Sequence, residues 1–169
     1  HLRNPMLRCA CLCAGDFEAA LELTREALAE GVVSLREVGE LHGDILMAII
    51  DRDQEAGTDA YAAAVAAYSA ALSAAGESDA ASGIATTPPT TLFFKLGRAQ
   101  SGAHLLDAAH ASYKSAMNAD RENKLGVKAE ALVALAVDAL NSGRIDEGKA
   151  CNKQHIGGML KLHLVSVLD

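Results

Sequence analysis

At 169 residues the chain is long enough for one domain with a buried core, and half of it is apolar, dominated by alanine, with 4% aromatic residues and no Trp. Alternating runs of β-branched residues are absent, which disfavours a sheet and favours helices packed through small side chains. A net charge of −7 without any basic cluster excludes a nucleic-acid footprint, since such binders need a basic stripe that releases counterions.

In chain order the periodicity predicts helices in pairs. The first pair covers Pro5 to Ala14 and Phe17 to Glu30, with Asp16 capping the second member. The second covers Leu35 to Glu55 and Ala60 to Ala75, turning at Gly57-Thr58-Asp59 with Asp59 as the cap. The stretch GESDAASGIATTPPTT, residues 76–91, is rich in Gly, Ser, Thr and Pro and reads as an exposed linker, with Thr90 or Thr91 capping the next helix. Then come Leu92 to Gly102 with Leu106 to Ala119, and Lys128 to Ser142 with Ile145 to Gln154. The expected division is therefore two hairpins in residues 1–75, a linker over 76–91, two hairpins in 92–155, and the start of a further helix or a C-terminal cap in 156–169.

A small-residue phase recurs across these pairs. Phe93, Leu96, Gly97 and Gln100 are followed by Ala109, Tyr113 and Ala116. The offset from Gly97 to those three recurs from Arg8 to Ala20, Thr24 and Ala27, and the second pair repeats the mutual spacing of the three as Ala64, Tyr68 and Ala71. The fourth offers Leu132, Leu135, Ala136 and Ala139, then Gly143, Ile145 and Gly148. Small side chains at a helix crossing let the two axes approach to the lower end of roughly 8–10 Å. This pattern resembles the tetratricopeptide repeat family over roughly Leu2 to Gln154, best in KLGRAQSGAHLLDAAHASYKSAMNAD and next best in GDFEAALELTREAL. It departs from the family in having no closing proline, in Arg8 at a small-residue position, and in a period longer than about 34 residues, as in irregular, longer-period members.

The resemblance implies an all-α, right-handed superhelix of about four hairpins whose first helices line a concave groove. Pro5, Cys9 and Leu12, Phe94 and Arg98, and Val133, Val137 and Asn141 are the residues it places there. It further implies a non-catalytic scaffold in a larger assembly, holding a protein partner as an apolar-anchored helix or extended segment. A purely architectural stretch of a longer solenoid, and a regulatory or sensor domain attached to an enzyme or transcription factor, are the alternatives.

The residues themselves add little chemistry. Cys9 and Cys13 share a helix face while Cys11 points elsewhere, so the three cannot converge on one tetrahedral metal, and buried or groove-lining thiols are expected. His42, His104, His110, His155 and His163 are scattered, in no ligand or nucleophile spacing. No enzyme, metal or cofactor is therefore expected. The apolar runs Ile45 to Ile50 and Ile156 to Leu168 fall short of the roughly 20 residues that cross a bilayer, so no membrane insertion is expected either. Cysteine usage without a disulfide framework suggests a reducing, cytoplasmic setting. The apolar end, Met159 to Leu168, suggests self-association.

Overall fold

The computed structural model describes residues 16–30, 35–53, 57–82, 89–154 and 156. Within them every regular element is a helix. We number these α1 (Phe17–Glu30), α2 (Leu35–Arg52), α3 (Thr58–Ser82), α4 (Thr90–Gly102), α5 (Leu106–Ala119), α6 (Val127–Asn141) and α7 (residues 145–154). The fold is all-α, helix after short connection after helix. The chain divides into two compact units, His1–Thr87 with Gly102–His104, and Pro88–Ser101 with Leu105–Asp169. The helices expected at Pro5 to Ala14 and Met159 to Leu168, with Cys9, Cys11 and Cys13, lie outside the described residues.

In the first unit, α1 starts where expected because Asp16 Oδ1 accepts the Ala19 N–H at 3.1 Å, satisfying a donor that the first turn leaves unpaired. It buries Ala20, Thr24 and Ala27, one face at helical spacing. The long hairpin of α2 and α3 closes through glycines. A Cβ on Gly39 would sit 3.1 Å from the Ala71 Cβ, and a Cβ on Gly43 would collide with the Tyr68 ring. Tyr68 is 1% exposed and its hydroxyl donates to Asp44 Oδ1 at 2.9 Å, so the ring fills the space left by Gly43 while its polar end stays satisfied. Val38, Ile45 and Ile50 complete this core, each burial contributing roughly 1.5–3 kcal/mol.

Two sequence expectations are corrected here. The helix expected to end at Ala75 runs through Gly76 to Ser82, so the first seven residues assigned to the linker are helical. One glycine costs only about 1 kcal/mol relative to alanine, too little to stop a helix resumed by Glu77, Ala80 and Ala81. Asp59 is not the cap of α3, because the helix already begins at Thr58 and the Ala60 N–H donates to the Gly57 carbonyl at 3.1 Å; Asp59 lies in the first turn, where its charge favours the positive helix end. The helix α4 begins at Thr90, which is buried, and the Pro89 carbonyl accepts the Phe93 N–H at 3.0 Å.

In the second unit, α4 and α5 repeat the glycine–tyrosine contact. A Cβ on Gly97 would come within 2.7 Å of the Tyr113 ring, and Tyr113 is 2% exposed. Buried Ser112 donates to Gln100 Oε1 at 2.7 Å, which gives the polar Gln100 of the repeat pattern its role as a clasp between α4 and α5. The turn into α6 is held by Asp120, a buried carboxylate that accepts the N–H groups of Leu125 at 3.2 Å and Lys128 at 3.3 Å, with Gly126 left-handed at φ 75°. Ala109, Tyr113, Ala131 and Leu135 form the core of this unit, and Phe94, Met117, Ala134 and Cys151 pack against it from α4 to α7. The small residues expected at packing positions, Ala20, Ala27, Ala64, Gly97, Ala109 and Ala116, together with Tyr68 and Tyr113, are all buried.

Candidate protein interface

The buried residues of α6 leave one side of it uncovered. Ala131, Ala134 and Leu135 face the core built on Tyr113, while Ala136 approaches α7, where a Cβ on Gly148 would lie 3.2 Å from the Ala136 carbonyl. The remaining side carries Val133 and Val137, 46% and 49% exposed and one turn apart, with exposed Asn141 a further turn along. Two exposed β-branched residues in register on a rigid helix are an apolar stripe that water wets poorly.

On α4, Arg98 is exposed and Phe94 is half-buried one turn earlier. The Phe94 ring lies 5.8 Å from that of Tyr113, tilted by 48°, so part of its apolar surface is already packed against the core. The C-terminal half of α4 is tied to α6 by the Ser101 hydroxyl, which donates to Asp138 Oδ1 at 2.7 Å. Burial raises the Tyr113 phenol above its ordinary value, the Asp138 carboxylate adds to this, and Arg98 opposes it, which places both charged groups within electrostatic reach of that ring. Thus a side-chain hydrogen bond joins α4 to α6, and Phe94, Arg98, Val133, Val137 and Asn141 belong to these two helices. Pro5, Cys9 and Leu12 lie outside the described residues.

Chemistry-bearing side chains meet at a second place in this unit. His110, Asp138, Arg144, Glu147 and Cys151 line a crevice of about 20 Å3 between α5, α6 and α7, room for about one water molecule. Arg144 and Glu147 are paired at 3.1 Å and Asp138 is held by Ser101. Burial lowers the His110 pKa, as do Lys114 and Arg144, against the opposing charges of Glu147 and Asp107. Among the described residues no group of three or more His, Cys, Asp or Glu side chains is placed to hold a metal ion. Nor is any helix among them long and apolar enough to cross a membrane.

Two contacts of the first unit escape sequence reasoning. Gly43 is not legible as the partner of Tyr68, because His42 stands where Leu96 precedes Gly97 and because 25 residues separate glycine from tyrosine rather than 16. The signal that could have found it is the second glycine, Gly39, one turn earlier on the same face. The other contact joins α1 to α2: the buried Thr24 hydroxyl lies 2.8 Å from the Leu21 carbonyl and is hydrogen-bonded to His42 Nδ1 at 2.7 Å. No sequence signal pairs residues 18 apart in this way.

No family model matches the chain, and no curated protein matches it. Among solved structures it is similar to the crystal structure of MamA, at 18% identity over 91% of this chain and 95% of that chain, with a TM-score of 0.43.

Proposed function

We propose that the chain is a non-catalytic interaction module of a larger assembly, and that it takes an apolar-anchored helix or extended segment of a protein partner on the face shared by α4 and α6. The observation that carries this reading is the pair Val133 and Val137, half-exposed and one turn apart on a helix whose other sides are packed. Side chains anchored at such a stripe gain by excluding water, and rigid helices lose little entropy in meeting them. Arg98 supplies a cation on the neighbouring helix, suited to one acidic group of the segment. A reducing, cytoplasmic setting is part of the same proposal.

Co-purification of the full-length protein with its partners, followed by cross-link mapping, tests this. Cross-links should fall on α4 and α6, and Val133→Asp with Val137→Asp should release the partner while helicity and melting temperature stay within experimental scatter. Binding should weaken only modestly with salt, since its anchors are apolar. Phe94→Ala should cost more than about 1 kcal/mol of binding, but it also removes packing on Tyr113, so the valine pair is the cleaner probe. A partner that cross-links elsewhere and survives the double substitution overturns the reading.

A further inference from the structure

The charges are distributed unevenly between the two units. Residues 1–87 hold 14 Asp and Glu against 5 Arg and Lys, whereas residues 88–169 hold 8 against 10, an excess of nine negative charges in one and two positive charges in the other. On the first unit, α1 presents Glu18, Glu22 and Glu26, all exposed and four residues apart, on the side away from buried Ala20, Thr24 and Ala27, with exposed Arg25 beside them at 3.5 Å from Glu22. Half-buried Leu23 and exposed Ala29 border that stripe.

On the second unit, α7 packs inward through Gly148 and half-buried Cys151. Its outer side carries Ile145, Lys149 and Lys153 at four-residue spacing, and the helical residue Ile156 stands 11 residues from Ile145, an offset of about three helical turns. Ile145 is 53% and Ile156 50% exposed, and both lysines are exposed between them. An apolar residue at each end with two cations at four-residue spacing is a face for an acidic helix. The chain itself carries one. Lys149 and Lys153 stand about 6 Å apart along their axis, as do Glu22 and Glu26 along theirs, so two pairs form at once when Glu22 shares or exchanges its exposed partner Arg25.

We infer that this outer face of α7 docks on the acidic stripe of α1 of a second copy, head to tail. The contact joins different surfaces of the two copies, so it is heterologous and propagates into rings or filaments. Ile145 and Ile156 supply the apolar ends and the lysine–glutamate pairs set partner choice and register. This surface is separate from the α4–α6 face, and neither reading depends on the other.

Sedimentation velocity of the full chain over a concentration series tests it. The wild-type chain should self-associate, more weakly by about tenfold or more as salt rises from about 50 mM to about 500 mM. Lys149→Glu with Lys153→Glu should be monomeric, and so should Glu22→Lys with Glu26→Lys, each with unchanged helicity. Mixed in equal amounts, the two variants should associate again, because each then offers the charge that the other has lost. Val133→Asp with Val137→Asp should associate as wild type does. A wild-type chain that stays monomeric, including one that binds a foreign acidic helix at α7, overturns the inference. So does self-association that both reversals leave intact, or a mixture that stays dissociated.

Discussion

The hairpins α2–α3 and α4–α5 solve one packing problem with different amounts of chain. The first uses helices of 18 and 25 residues, the second 13 and 14, yet each sets a glycine of its leading helix against a buried tyrosine of the following one. The glycine removes the one side chain that would hold the axes apart, and the tyrosine fills what remains. What differs is the residue after each glycine. Asp44 accepts the Tyr68 hydroxyl, whereas Arg98 bears a positive charge near Tyr113. The apolar contact thus tolerates changes in helix length, while the polar position beside it varies in sign.

The largest test of this equivalence truncates the tyrosines. Tyr68→Ala and Tyr113→Ala should each destabilise by about 3–5 kcal/mol, since both empty a site next to a residue that cannot expand. Thermal or denaturant unfolding that finds one of them under about 1 kcal/mol would show that the two cradles are not alike. Ala109→Arg should cost about 2–4 kcal/mol by forcing a long cation into a site with 0% exposure, and Ala111→Arg, on the exposed side of the same helix, should be close to neutral.

A smaller difference separates the phenols. Tyr68→Phe removes the donor to Asp44 and should cost about 1–2 kcal/mol, more than Tyr113→Phe. The reverse order would mean that the polar end matters more in the second hairpin.

The smallest effect is a pH dependence. Burial, and after it Arg25, lowers the His42 pKa below its ordinary 6.5, so the folded state resists a proton that the unfolded chain accepts. Stability from the neutral ring is therefore complete above about pH 6.5 and declines as pH falls through the interval below it, down to the folded value. His42→Gln should flatten that slope. His110→Gln should flatten it less, because Glu147 and Asp107 oppose the lowering there. Equal slopes in wild type and His42→Gln would remove His42 as the cause.

Much of this architecture is legible in the amino-acid order. Apolar spacing and turn residues locate α1 and α5 to their ends, because periodicity and caps act over a few neighbouring residues. The phase from Gly97 to Ala109, Tyr113 and Ala116 is likewise visible, since a small residue opposite an aromatic one leaves a mark in composition. The end of α3 is not, because a glycine weakens a helix by an amount that its flanking alanines and glutamate can offset.

Long-range partners were decided in three dimensions. Sequence alone did not select Gly43 for Tyr68, His42 for Thr24 or Ser101 for Asp138, since each pair joins helices whose mutual rotation and depth depend on the packing of all their buried faces together. The exposed side of α6 is a mixed case. Val133 and Val137 have the composition of core residues, so only the family resemblance put them on an open face, and the positions of α5 and α7 around α6 determine that this side of the helix meets water.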